Sequence, residues 1–369
     1  MESTKIGTSE AIAFLTIIIV NFIVLDGAKS VIITTSSSAI LNVIYVSAIS
    51  LLLSYFLFKL LNKFPTFDML DISNFLGGKL LKLIIGIIFF LYFIFLSATL
   101  LKNFAFSLQT IYYPFTNIFF IVLLFLLIST FVCNLKYNAI FRSSLIILPL
   151  IILSILFLFF GNIKNFSFNN IFPILGNGVN STFVLGLSNI FTFQSLLYLL
   201  FLPPYLKDVT KLKRVTLVSV ILSAFYFLTS VASLLLLFYA YMSNESLMPL
   251  YSAVRYIEFG VFFQRLDSLF LIVWIISFIS YLSITINICS NILAKTTSLI
   301  KNKKISSIII ATLIWVITLV IKNHSISSFL VENIYSYIFF VILGISFAIL
   351  LLALCYKSFK SKFRTIRIN

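Results

Sequence analysis

Ten long apolar stretches constrain this chain more than any other feature. They cover residues 10–33, 38–61, 79–108, 115–133, 140–160, 181–203, 214–241, 262–294, 305–321 and 332–356. A helix of about 20 apolar residues crosses the roughly 30 Å hydrocarbon core of a bilayer. Backbone groups in lipid have no water to bond, so only helices and closed barrels can span it. Barrel strands alternate apolar and polar residues. The run from Ile118 to Ile128 does not alternate, so helices are expected. With 61% hydrophobic and only 10% charged residues, the chain lies far from soluble domains, which carry about 25% charged residues. The same figures exclude a disordered chain. The expectation is an all-α integral membrane protein with one transmembrane domain over residues 1–369. Residues 10–160 and 181–356 would form two five-helix halves, and 357–369 a basic tail.

The formal net charge is +16, which in a soluble protein would suggest nucleic acid. Here no polar face exists to gather the charge. With a cytoplasmic N-terminus, Lys29, Lys102, Lys164, Arg255, Arg265 and Lys322 fall outside, and the other 20 of the 26 basic residues fall inside. That asymmetry fits ten crossings with both ends cytoplasmic. A short polar segment precedes a long first span without a small-residue cleavage site, so a removable signal peptide is not expected. Cys133, Cys289 and Cys355 are far apart, no CxxC occurs, and the single histidine, His324, completes no metal site with them. No phosphate-binding loop, GxSxG or HExxH pattern occurs. Enzymatic chemistry and a bound cofactor therefore have no supporting residues.

Polar residues inside a membrane are costly and mark functional sites by default. In the first span, Asn21, Asp26, Gly27, Lys29 and Ser30 follow a clean apolar run. Either Asp26 and Lys29 pair at a mid-membrane break, or the helix ends near residue 26 and both lie at the interface. The sixth span is interrupted in a similar way. Pro173, Gly176 and Gly178 precede it, Gly186, Ser188, Asn189, Thr192 and Gln194 lie within it, and Pro203–Pro204 ends it. Unwound helices in corresponding positions of two halves point to an inverted-repeat transporter. Their free N–H groups would hold a carboxylate, and their free carbonyls a cation or amine. A second polar cluster holds Arg255, Glu258, Arg265 and Asp267. It reads as a fixed cap on the eighth span or as a gating and ligand-access element. Tyr92, Ser97, Thr99, Asn287 and Ser290 are weaker candidates, since such groups commonly bond neighbouring helices.

The segment Phe262 to Trp274 is similar to a motif of the endospore germination permeases, F-x-x-R-x-[DE]-S-x-x-x-x-x-W. Arg265, Asp267, Ser268 and Trp274 match it. Phe64-Pro65, Gly77-Gly78-Lys79, Arg142, Asn170 to Pro173 and Leu202-Pro203 also match. The chain thus resembles the B subunits of nutrient germinant receptors, in the amino acid/polyamine/organocation transporter superfamily, over about residues 8–356. It departs from them at Asp26-Gly27 and Thr34 to Ser38, where relatives often carry Gly-x-Gly and a Pro, and at Gln194, where many carry an acid. The resemblance implies a LeuT-like fold of two inverted five-helix repeats with helices one and six broken. It also implies a spore inner-membrane location and partnership with receptor A and C subunits.

Three functions follow as expectations. The first is a germinant-sensing subunit that binds a small nutrient, an L-amino acid, at the breaks in spans one and six. Asn21, Asp26, Gly27, Ser30, Gly186, Ser188, Asn189 and Gln194 would contact it. The second is a secondary amino acid transporter coupled to H⁺ or Na⁺, with Asp26 as the coupling acid. The third is an ion-channel component. The expected partners are the receptor subunits, the nutrient and the bilayer, and not nucleic acid.

Overall fold

The computed structural model describes residues 5–135, 137–238, 248–257, 267–297 and 302–366. Glu258 and Arg265 lie outside the described residues. Helix one comprises α1 (Thr8–Phe22), a π-helical turn (Ile23–Gly27) and α2 (Ala28–Thr35). The chain reverses at Ser36–Ser38 into α3 (Ala39–Leu61). It continues through α4 (Met69–Ile111), α5 (Ile118–Asn134) and α6 (Tyr137–Gly161). Helix six is irregular and contains α7 (Ser195–Leu199). The remaining helices are α8 (Leu212–Leu237), α9 (Pro249–Arg255), α10 (Asp267–Thr296), α11 (Lys303–Val320), α12 (His324–Phe329) and α13 (Ser336–Ile366).

Among the described residues, seven stretches are long and apolar enough to cross a membrane, where ten spans were expected. The difference has physical causes. Thr8–Leu61 counts once although it folds back at Ser36, and α5 has only 17 residues. Helix six alternates helix types and has no long regular run.

Helix one is the centre of the bundle. Every residue from Ala11 to Phe22 is buried, against α6, α8 and α10. The rim helices instead expose apolar side chains, such as Phe120, Leu124 and Phe131 on α5 and Ile308, Val316 and Val320 on α11. In lipid such a surface has no hydrophobic cost, and association depends on close packing instead. α3 and α8 show this: the two helices pack closely, and Ser47, Ser50 and Ser54 of the one and Thr216, Ser219 and Ser223 of the other are all buried. Ser54, Thr216, Ser219 and Ser223 donate to carbonyls of their own helices, whereas the Ser47 and Ser50 hydroxyls have no hydrogen-bond partner among the described residues; the small side chains let the two backbones approach.

Both ends of the described chain lie on one face. Ile6 bridges Leu206, with its N–H donating to Tyr205 O at 2.8 Å. Lys357 Nζ donates to Lys63 O at 2.8 Å. On the same face Lys295 Nζ, at the end of α10, reaches Asp68 and Asp71 at 2.6 Å each. The same two carboxylates cap the start of α4.

Candidate functional site

Helices one and six are irregular at the expected positions, but neither is unwound. The N–H of Ala28 donates to Ile23 O, an i→i−5 bond, and Gly27 keeps right-handed helical angles (φ −63°, ψ −44°). The helix therefore does not end near residue 26; it runs to Thr35. Helix six passes from a π turn (Asn180–Val184) into nine residues of 3₁₀ helix (Leu185–Phe193) and then α7. A 3₁₀ run longer than about four residues is uncommon, and π turns cluster at functional sites. These turns keep the backbone groups bonded. A run of free N–H groups at Gly27 or Ser188, expected to hold a carboxylate, is not formed.

Side chains join the two irregular segments instead. Asn189 Nδ2 donates to Thr34 Oγ1 (3.0 Å) and to Asn42 Oδ1 (2.9 Å). Asn42 Nδ2 donates to Thr182 O (2.7 Å), and Ser38 shares a 2.7 Å hydrogen bond with Thr182 Oγ1. Gly186 is needed here because a Cβ would lie 2.1 Å from Asn42 Nδ2. Gly176 (φ +51°) packs against Thr35 O, and Ser37 Oγ donates to Pro173 O at 2.6 Å. The Pro- and Gly-rich segment before helix six thus covers the turn at the end of helix one.

Behind this knot lies a cavity of about 10 Å³, lined by Ser30, Ser188, Asn189, Thr192, Glu332 and Ser336 with Phe22, Phe191 and Val331. About 10–15 Å³ is the space needed for one water. The Phe22 and Phe191 rings meet edge to face at 4.9 Å. Two larger crevices, of about 300 and 220 Å³, are lined almost wholly by apolar side chains such as Leu150, Phe157, Leu127 and Ile308.

The structure divides the residues expected to share one pocket. Ser30, Ser188 and Asn189 line the cavity. Asn21 instead ties α1 to α10, with Nδ2 donating to Ser277 Oγ at 2.8 Å and to Ile17 O at 2.9 Å. Gly27 packs on Phe22. Gln194 is fully buried, off the cavity, and its amide has no hydrogen-bond partner among the described residues. Asp26 is 5% exposed, and both carboxylate oxygens accept from Asn103 Nδ2 on α4 (3.1 and 3.0 Å). Asn103 Oδ1 in turn meets His324 Nδ1 at 3.1 Å. The charges of Glu332 and Lys29 also act on Asp26. Of the second cluster, Arg255 is exposed at the end of α9. Asp267 is buried, accepting hydrogen bonds from Tyr251 (2.7 Å) and Tyr112 (3.2 Å).

Glu332, His324, Asn42 and Thr182 were not expected. Glu332 and His324 carry a visible signal, as ionisable residues at the edge of the last apolar stretch. Asn42 and Thr182 are polar residues inside apolar stretches, but their pairing carries no signal, because nothing in a single sequence joins residues 140 positions apart.

Comparison with known proteins adds the following. A family described as "Spore germination protein" matches residues 5–327. Among solved structures, a Na⁺-coupled sialic acid symporter in a substrate-bound outward-open state superposes with a TM-score of 0.64 at 12% identity, covering 93% of this chain and 78% of that one. The inward-facing conformation of Mhp1 gives 0.64 at 13% identity, covering 94% and 76%. A mutant of the manganese transporter of Eremococcus coleocola gives 0.58 at 14%, covering 95% and 77%. At these identities the likeness establishes the fold, that of LeuT-type transporters. A search of curated proteins found no match.

Proposed function

Because the chain belongs to the spore germination protein family, we propose that it is the membrane subunit of a germinant receptor. It would bind a small nutrient, an L-amino acid, and signal to partner subunits, the receptor A and C proteins, in the spore inner membrane. Under this reading the chain crosses the membrane ten times as two five-helix halves, with both ends cytoplasmic. The observation that carries the reading is the cavity between Ser30 of helix one, Ser188 and Asn189 of helix six, and Glu332. It brings a carboxylate, an amide and hydroxyls together beside two helices of altered gauge. Glu332 would take the ammonium group of an amino acid, and the hydroxyls and amide its carboxylate.

A cavity of about 10 Å³ does not admit an amino acid. Binding must therefore select a state in which helix six or the α12–α13 segment has moved. A ligand shifts such an equilibrium only by its differential affinity for the two states. Reversing a 1:99 population takes about 5.5 kcal/mol. That requirement fits a sensor, in which the movement itself is the signal.

A thermal-shift screen of the full chain against the common amino acids tests this. At 100 times Kd a ligand should add about 2.7 kcal/mol of stability. Asn189 is a structural tie, so Glu332→Gln and Ser30→Ala are the better variants. A selective shift that both variants abolish supports the reading. A shift that both retain would move the ligand elsewhere, and no shift with any amino acid would count against an amino acid ligand.

Secondary transport is the second reading, favoured by one observation. Gln194, Tyr92 and Ser290 bury polar side-chain atoms that lack hydrogen-bond partners among the described residues, on helix six, α4 and α10. Buried unpaired polar groups are costly, and a path that hydrates when it opens would pair them. Uptake of a radiolabelled amino acid into proteoliposomes separates transporter from sensor.

A further inference from the structure

The Asp26–Asn103–His324 chain has a property that solute binding does not require. An ionised carboxylate only accepts hydrogen bonds, so Asn103 must turn its NH₂ group toward Asp26. Its carbonyl then faces His324 Nδ1, and a carbonyl only accepts. The imidazole is thereby required to carry its proton on Nδ1. Packing holds the ring in place, because it stacks on Phe106 at 5.0 Å with the planes only 6° apart. This is the only histidine in the sequence. Histidine is also the one side chain whose unperturbed charge change falls between about pH 5 and 8.

We propose that Asp26, Asn103 and His324 form a proton-binding site in which the Asn103 amide makes the protonation of Asp26 and the tautomer of His324 a single linked event. The proton comes from water and ends on a carboxylate oxygen of Asp26. Both oxygens accept from the Asn103 NH₂ group, so the new O–H replaces one of these two bonds by a donor-against-donor contact and leaves only the other oxygen accepting. The amide relieves this by rotating half a turn about its last bond, so that its carbonyl accepts from Asp26. Its NH₂ group now faces His324 Nδ1, which must become the acceptor. The imidazole proton moves to Nε2 through exchange with water, and no net proton is created or lost beyond the one taken up. Protonation of the imidazole itself makes both ring nitrogens donors and leaves the Nδ1–H bond to Asn103 intact.

The charged groups around the site are few. Lys29 lies on helix one, one turn beyond Asp26, and its charge bears on Asp26, His324 and Glu332. Glu332 comes from the π turn that follows α12. On α4, Lys102 adjoins Asn103 in sequence and is buried. Lys322, two residues before His324, is exposed.

The site shares both of its moving parts with the solute cavity. Asp26 is one helical turn from Ser30, and His324 leads α12 into the turn that holds Glu332. A change at the amide therefore acts on both walls, which would make solute affinity depend on pH. That last step rests on the cavity being the solute site, whereas the proton site does not.

The single histidine makes the test direct. The full chain is labelled with ¹⁵N-histidine, placed in lipid nanodiscs and titrated by NMR from pH 8 to pH 5 without any solute. Wild type should show the Nδ1–H tautomer at pH 8. Asn103→Leu should lose that preference, and Asp26→Asn should keep its imidazole uncharged to a pH lower by about one unit, because a nearby negative charge has gone. A wild-type spectrum with the proton on Nε2 at pH 8 overturns the proposal without recourse to any variant. Identical tautomer and titration in wild type and both variants overturn it as well. A failed amino acid screen leaves this test standing, and a failed titration leaves the screen standing.

Discussion

Gly186→Ala is the sharpest test of how helices one and six are joined. The added methyl group would lie 2.1 Å from Asn42 Nδ2 and 3.2 Å from Ser181 O. Contacts under 3.0 Å are essentially never seen for real Cβ atoms, so something must shift. The helix backbone at Ser181 leaves Asn42 as the group that gives way. Asn42 donates to Thr182 O at 2.7 Å and accepts from Asn189 at 2.9 Å, both in buried surroundings. Losing two such hydrogen bonds costs about 1–3 kcal/mol in all. Forcing a methyl group into a packed interior adds about 1–3 kcal/mol. The expected destabilisation is therefore about 2–6 kcal/mol.

Asn42→Ala removes the same two bonds and also the obstacle. In the double variant the new methyl group meets no amide, so Gly186→Ala should add little to Asn42→Ala. The coupling should thus be close to the whole cost of Gly186→Ala, about 2–6 kcal/mol in the direction of rescue. Thermal unfolding of the four proteins in detergent, followed by intrinsic fluorescence, measures it. Strict additivity, or a Gly186→Ala variant within about 0.5 kcal/mol of wild type, would refute the reasoning.

Two further outcomes are expected. Lys295→Met leaves the Asp68 side chain, 3% exposed, beside Asp71 without its cation. A broken buried pair costs about 3–5 kcal/mol, and the 30% exposure of Lys295 reduces this to about 2–3; adding Asp68→Asn and Asp71→Asn should recover most of the loss, and equal melting of the single and triple variants would contradict the clamp. Tyr251→Phe removes the 2.7 Å donor to Asp267 and Tyr112→Phe the 3.2 Å one; the first should cost about 1–2 kcal/mol and the second less, and the reverse order in a thermal melt would rule out Tyr251 as the main partner.

The spans were legible because a bilayer dictates their length and composition, and α3, α8 and α11 begin and end within a few residues of the expected limits. The places where helices one and six depart from regularity were legible too, from Asp26-Gly27 and from the Pro and Gly residues before Ser181. The kind of departure was not. Unwinding would strand several N–H and C=O groups where no water can pair them, at several kcal/mol each. A change to π or 3₁₀ winding keeps them bonded and still makes room, so it wins over a break. Partners were the least legible. Asp26 drew attention as an intramembrane acid, yet the groups that settle its environment lie on other helices, 77 positions away at Asn103 and a further 221 away at His324.

The ties on the two faces differ in kind, and this bears on where a solute enters. On the face that carries the chain ends, the closure is ionic and backbone-based: Lys295 with Asp68 and Asp71, and Ile6 with Tyr205 and Lys207. On the other face the closure over the cavity is made of neutral bonds, Ser37 to Pro173, Ser38 to Thr182, and Asn189 to Thr34 and Asn42. Each neutral bond contributes about 0.5–1.5 kcal/mol and can be replaced by a bond to water once the segment lifts. A buried carboxylate separated from its lysine loses more. The cavity lies directly behind the neutral ties, since Ser188 and Asn189 follow Thr182 and Gly186 along the same irregular helix. A swing of residues 173–193 away from the end of helix one would therefore open the cavity at a smaller cost than separating the ionic face.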